Sequence, residues 1–391
     1  MRYFLFKRRF FALCMSLLAT CSVAAAVEQA ALRPQPVPPR DPAKVEASLQ
    51  RGVQFLLTDQ NRDGSWGSAE KTKGLNIFAP VPGSHHAFRT AVTSLCVRAL
   101  LDTKDTSPAV TQAVDRGQAW LLEHLPNLRR ADATAIYNVW GHGYGIQALV
   151  GLYRRDAVDS ATQQKIREII QQQFDLLSRY ESVDGGWGYY DFRAGAKQPA
   201  SSSISFVNAA VLVALFEAKS IGVEPPEKLV RRAIDATLRQ RKPDHSYLYG
   251  EYLWSRPQRE INRPGGSLGR TQSCSAALRL WGDEQVTDEV LDEWLARLFA
   301  RNLWLDIGRK RPVPHESHFQ VAGYFYYFGH YYGARCIELL SESKRGEHQD
   351  QMAHLMLRLQ EKDGSWWDYP LYNYHQQYGT AFALMTLARC R

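Results

Sequence analysis

Side chains able to move a proton fall in a few short stretches of the 391-residue chain. His85, His86 and Arg89 stand together, followed by Tyr137 and His142, Arg270, the pair His315 and His318, Tyr324 and Tyr327, and finally Tyr374 with His375. Imidazole and phenol can serve as acid or base, and arginine can hold a developing negative charge. Gathered at one pocket, these groups could carry acid–base chemistry, for example hydrolysis or elimination on a glycan. Metal chemistry is less well supported. His315 and His318 are three residues apart, but Pro312 and Pro314 disturb the turn that would bring them to one ion. His330 lies 330 − 318 = 12 residues further on, about 18 Å along a helix and too far to share that ion. His375 could meet His85 and His86 only if the two ends of the chain come together. We expect no metal and no cofactor.

The stretch Gly323 to Gly333 is dominated by aromatic residues. Read as a helix, it places Tyr324, Tyr327 and Tyr331 on one face and Tyr326 with His330 on another, while Gly329 and Gly333 allow close approach on a third. Such a segment can be plain core. It can also be an aromatic wall, whose ring faces suit a sugar, a polyprenyl chain or a cation.

Positioning these groups requires a scaffold, and the scaffold is repetitive. Asp63-Gly64-Ser65-Trp66 is echoed by Asp184-Gly185-Gly186-Trp187 at 184 − 63 = 121 residues and by Asp363-Gly364-Ser365-Trp366 at 363 − 184 = 179. Both gaps approximate multiples of 60, which divides the chain into six units. Each unit reads as a charged, one-sided helix followed by a helix that is apolar all round. The pairs are 45–59 with 90–101, 110–125 with 137–153, and 161–180 with 206–215, then 226–240 with 270–281, 286–301 with 318–341, and 347–361 with 377–389. One-sided helices face water, and all-apolar helices must be surrounded by protein. The expected fold class is therefore all-α, an α6/α6 toroid of twelve helices, closed by contact between the first and sixth units. Glycine supplies positive φ in each turn, and the tryptophan supplies a broad surface between neighbouring outer helices. The turns read as structural clamps, and the loops before the inner helices, rimming one mouth of the ring, as the place for chemistry.

The full stretch Arg51-Gly52, Phe55, Gln60, Gly64 and Trp66 resembles the QW repeat of the squalene-cyclase and prenyltransferase superfamily, which implies a terpenoid-cyclase-like toroid. The catalytic signatures of that superfamily are missing: the chain has no adjacent aspartates to form an Asp-x-Asp-Asp acid, no Asp-x-Cys zinc pair, and no Cys-Gly-Glu-Gln. The resemblance thus implies a body able to hold an apolar or oligomeric ligand in an aromatic cavity, with a divergent cyclase or a glycan hydrolase or lyase as alternatives.

The first 26 residues read as an export signal, with Arg2, Lys7, Arg8 and Arg9 before the apolar run Phe10 to Ala19. Cys21 lies in a stretch similar to a lipobox, so a lipid anchor there is an alternative to cleavage. The expected location is periplasmic or extracellular. Residues 27–42 carry five prolines and form a linker, and a single toroid domain is expected over 43–391. Removing residues 1–26 takes four basic groups away and leaves 44 − 40 = +4, without a basic stripe, so nucleic acid is not expected as a partner. Beyond the leader no apolar run is long enough to span a bilayer. Cys96, Cys274, Cys336 and Cys390 are far apart and signal no cysteine-based metal site.

Overall fold

The computed structural model describes residues 33–74, 77, 79–80, 82–191, 198–200, 202–313, 315 and 320–391. The leader, Cys21 and His318 lie outside the described residues. Among the described residues, twelve helices of ten residues or more alternate between two layers. They are α1 Pro42–Asp59, α2 Gly83–Asp102, α3 Pro108–His124, α4 Asn138–Tyr153, α5 Ser160–Tyr180 and α6 Ser205–Lys219. The second half contributes α7 Glu227–Arg239, α8 Thr271–Leu280, α9 Asp288–Ala300, α10 Phe325–Leu339, α11 Arg345–Leu359 and α12 His375–Ala388. Among the described residues, extended pairing is limited to isolated bridges.

Burial sorts the layers as periodicity does. Fifteen of the twenty residues of α2 are buried, against six of eighteen in α1, so even-numbered helices form the inner ring and odd-numbered ones the outer. The inner ring closes on itself: α2 packs on α4, α4 on α6, α6 on α8, α8 on α10, α10 on α12, and α12 back on α2. This is an α/α toroid. Two boundaries differ from expectation. Helix α2 starts at Gly83 rather than near Thr90, and α10 starts at Phe325 rather than near 318, because Gln320 takes positive φ and the chain turns at Gly323.

The three Asp-Gly-x-Trp turns each fasten their own unit to the next. Trp66, Trp187 and Trp366 are fully buried, and each indole Nε1–H donates to the carbonyl ten residues earlier, Leu56, Leu177 and Met356, at 2.8, 2.8 and 2.9 Å. Burying one such ring removes roughly 200 Å² from water, worth about 5 kcal/mol before entropy is counted. The backbone N–H of each tryptophan donates to a side chain of the next inner helix, Thr93, Asn208 or Thr380. Gly64, Gly185 and Gly364 adopt φ of 91, 94 and 90°, and a Cβ there would collide with the carbonyl of Arg116, Arg232 or Arg51 on the following outer helix. The role of the Arg-Gly pairs follows from this geometry. Arg116 binds Gln60 and Arg51 binds Gln360, while Gly117 and Gly52 leave room for the rings of Trp66 and Trp366. The last of these contacts joins the sixth unit to the first.

A fourth turn of this kind, not recognised from the sequence, occupies Lys242 to Tyr247. Its hydrogen bonds repeat the others, Lys242 N to Ser246 O at 2.8 Å and Ser246 N to Asp244 Oδ1 at 3.0 Å, but His245 takes the positive-φ position at 58° and Tyr247 stands where the tryptophan would be. Its offset, 244 − 184 = 60, is one unit.

Two further features limit what the ring can do. At the end opposite the mouth, Arg98 of α2 bonds Glu217 of α6 at 2.6 Å and Asp102 at 2.7 Å. Arg335 of α10 bonds the other oxygen of Glu217 at 2.6 Å, and Arg389, just past α12, bonds Asp102 at 2.8 Å. This buried network ties four inner helices together as a floor. Outside the ring, the proline-rich linker is attached rather than free: Arg33 bonds Asp292, Arg40 bonds Asp350, and Gln351 donates to the carbonyl of Gln35. Contact with the helical body thus starts well before Ala43.

Candidate functional site

A cavity of about 330 Å³ opens among the first turns of the inner helices. Helix α2 supplies Phe88, Ala91, Val92 and Leu95, whose spacing of three, four and seven residues puts them on one stripe. By the same logic α4 supplies Trp140 and Tyr144, α10 supplies Phe325 and Phe328, α12 supplies Tyr378 and Phe382, and α6 adds Phe206. The loops close the wall with Ile77, Tyr137, Tyr189, Tyr190, His315, Tyr324, Tyr369 and Leu371. The rings pack mostly edge to face: Phe206 meets Phe325 at 4.9 Å and 81°, and Tyr249 at 5.4 Å and 66°. Trp140 stacks on Tyr144 with centroids 5.8 Å apart. Among the described lining residues there is no carboxylate, and the polar side-chain groups are phenol hydroxyls, the indole N–H of Trp140 and the imidazole of His315.

One acid stands just behind this wall. Asp368 is fully buried and accepts from the hydroxyl of Tyr378 at one oxygen and from the backbone N–H of Tyr327 at 3.0 Å at the other. Burial pushes its carboxyl up to about 7 even though both hydrogen bonds favour the charged form. Tyr378 also lines the cavity, so one hydroxyl links Asp368 to a residue of the wall. The hydroxyl of Tyr369, also on the wall, has no hydrogen-bond partner among the described residues.

A second chamber of about 530 Å³ adjoins the first, sharing Tyr189, Tyr190 and His315 with it. Its other walls are more polar and include Ser202, Tyr252, Arg259 and Gln320. His315 is oriented by a 2.8 Å contact between Nδ1 and the carbonyl of Gln320.

Of the residues singled out from sequence, Tyr137, His315 and Tyr324 line the cavity. The others have different surroundings. His142 is wholly buried between Asn138 and Gln173, and burial pushes it down to about 4, keeping it neutral. Arg270 is also fully buried and spends its guanidinium on the carbonyls of Tyr247, Ile261 and Gly266, tying the fourth loop to its helix. Tyr327 lies behind the wall against Tyr326. His85, Tyr372 and Tyr374 form an aromatic cluster at the seam between the first and last units. There His375 bonds the carbonyl of Tyr372 at 2.7 Å, and burial lowers it to about 4. His86 turns outward to His124, and Arg89 faces Asp63 at 3.9 Å. Across this seam His375 and His85 do approach through Tyr372, but among the described residues no three His, Cys, Asp or Glu side chains converge as metal ligands. Sequence reasoning passed over the inner-helix aromatics Phe88, Tyr144, Phe206 and Phe382. Their three- and four-residue spacing within the apolar helices was the available signal.

No family model and no curated protein matches the chain. Solved structures do. The chain is similar to the apo type II terpene cyclase MstE from Scytonema, with 17% identity and a TM-score of 0.50 over 89% of this chain and 98% of that one. It is also similar to an inactive variant of an α-1,6-mannanase of Salegentibacter sp. HEL1_6 in complex with α-1,6-mannotriose, with 9% identity and a TM-score of 0.54 over 88% and 99% of the two chains. A novel α-amylase from Clostridium perfringens aligns over 88% and 97% with 9% identity and a TM-score of 0.53. At these identities the likeness establishes the α/α-toroid fold, which serves terpenoid and glycan enzymes alike.

Proposed function

We propose that this protein holds an apolar, isoprenoid-like chain in its aromatic cavity. The observation that carries the reading is the composition of the wall: rings and aliphatic side chains enclose about 330 Å³ without a carboxylate among the described lining residues. That volume falls at the lower end of the roughly 300–1,000 Å³ usual for small-molecule sites. A glycosidase needs two carboxyl groups flanking the scissile bond, about 5–10 Å apart, and the described wall offers none, which weighs against the glycan reading. The QW-type resemblance agrees with an isoprenoid ligand.

Asp368 favours a second reading, in which the bound chain is also protonated. A carboxyl held near 7 stays partly neutral at physiological pH and can pass a proton through Tyr378. The same value makes it a weak acid, and an unactivated alkene needs a far stronger one. Binding is therefore the primary reading, and proton transfer would require a more basic group on the ligand.

Titration calorimetry with farnesol and with mannotriose tests the proposal. Saturable binding of farnesol and none of mannotriose is expected; saturable mannotriose binding without farnesol binding would overturn it.

A further inference from the structure

Seven large apolar side chains of the described chain are exposed, and six of them lie on two neighbouring mouth loops. Tyr252 and Trp254 follow α7, and Leu303, Trp304, Ile307 and Val313 follow α9; Trp254 and Leu303 are 70% and 74% exposed. The loops are contiguous. Segment Pro264–Ser267 packs on both Glu260–Asn262 and Asn302–Asp306, and the second chamber is walled by Tyr252 and Arg259 from one loop and by His315 and Gln320 from the other. An apolar patch concentrated in this way is an interaction surface rather than scattered exposure.

Charge identifies the partner. Residues 251–263 and 301–313 hold seven basic and three acidic side chains, 7 − 3 = +4. Two of the acids are already engaged, Glu251 by Arg239 and Asp306 by Arg309. Among the described residues no carboxylate pairs with Arg256, Arg259, Arg263 or Arg311. Exposed tryptophan and tyrosine beside unpaired arginines suit the interface of an anionic bilayer, where the rings enter the headgroup region and the cations meet lipid charge. The patch borders the chamber that adjoins the aromatic cavity, and a ligand of that cavity's character is itself concentrated in membranes. No helix among the described residues is long and apolar enough to cross a bilayer.

We propose that the mouth loops of the fourth and fifth units dock the protein on an anionic membrane surface. Docking depends on the surface of the loops and stands apart from what the cavity holds.

Co-sedimentation with vesicles tests this. Vesicles of phosphatidylcholine containing roughly a third phosphatidylglycerol are compared with phosphatidylcholine alone. The protein is expected to pellet with the anionic vesicles at least about tenfold more tightly, and less so as salt rises. Arg256→Ala with Arg259→Ala should weaken that binding about 30-fold, the factor two surface arginines are worth. Trp254→Ala with Leu303→Ala should weaken binding to both vesicle types. All four side chains are exposed, so unchanged thermal melting confirms that the variants fold. Equal binding to both vesicles, or wild-type affinity in both variants, would overturn the proposal. So would a dimer in light scattering that Trp254→Ala with Leu303→Ala dissociates, without vesicle binding, since the patch would then be a contact between copies.

Discussion

Replacing Asp368 by Asn should change how stability depends on pH, and the direction follows from burial. The carboxyl moves from an ordinary 3.8 to about 7 in the folded protein, so the folded state holds the proton more tightly than the unfolded chain. A group raised in this way gives its full stability below pH 3.8, and the contribution is lost as pH rises through 7. The rise is worth about 4 kcal/mol in total at about 1.4 kcal/mol per pH unit, of which about 3 kcal/mol falls between pH 5 and pH 8. Asn keeps one acceptor for Tyr378 or for the Tyr327 N–H and cannot ionise. At pH 5 the variant should be less stable than the wild type by about 1–2 kcal/mol, the cost of one lost buried hydrogen bond. By pH 8 that deficit should have vanished or reversed. Urea unfolding followed by far-ultraviolet circular dichroism at both pH values measures the difference. If the wild type and Asp368→Asn lose the same stability between pH 5 and pH 8, Asp368 does not titrate in this window, and the proton-transfer reading through Tyr378 fails with it.

The floor should respond in the opposite direction. Burial pushes Glu217 and Asp102 up, but Arg98 with Arg335 and Arg389 more than offset it, holding both near 2. Their contribution is present above the ordinary carboxylate range and is lost as pH falls from about 5 toward 2. Glu217→Gln should cost about 3–5 kcal/mol at pH 7, because it removes the buried carboxylate that Arg98 and Arg335 share and leaves them only Asp102 and Glu338, and should flatten the acid limb of the stability curve; an unchanged acid limb would count against the network. The unit clasp is tested by comparing two glycines. Gly282 has φ of 84° with open space around it, whereas Gly64 has φ of 91° and faces the Arg116 carbonyl. Gly282→Ala should cost about 1 kcal/mol, the conformational penalty alone, and Gly64→Ala clearly more; equal shifts in the urea midpoint would mean that Gly64 is needed only for its backbone.

Helix pairing was legible because α1 is one-sided and α2 apolar all round, a contrast that only a two-layer ring satisfies. The Asp-Gly-x-Trp turns were legible where glycine and tryptophan were retained. The fourth was not, since His245 at positive φ and Tyr247 replace the residues that advertise the turn. The cavity was read less well for a physical reason. Titratable residues near the start of the inner helices were given precedence, but successive residues of a helix point in different directions. His86 and Arg89 look toward the outer layer, while Phe88, between them, looks toward the axis. Helix α2 also begins about two turns earlier than its apolar pattern indicates, which brings residues 83–89 into the helix. The fifth unit is alike: in α10, Phe325 and Phe328 face the cavity while Tyr327, on another face of the same helix, lies behind it.

The two ends of the ring are built for different tasks, and the difference constrains how a ligand can travel. The outer layer is fastened by the indoles and their Arg-Gly partners, so the axis does not need to be filled to hold the units together. Below the cavity the axis is filled all the same. Tyr331 and Tyr332 are fully buried there, and beneath them Arg98, Arg335 and Arg389 lie toward the C-terminal ends of α2, α10 and α12, where helix dipoles favour cations. Opening this floor would strand several buried charges at a cost of several kcal/mol each. Among the described residues no comparable charged network spans the mouth, where the two chambers share Tyr189, Tyr190 and His315. For the chain-like ligand proposed above, the second chamber, past Tyr252 and Arg259, is then the route that leaves the floor closed. Such a route would run beside the exposed aromatic and basic loops of the fourth and fifth units.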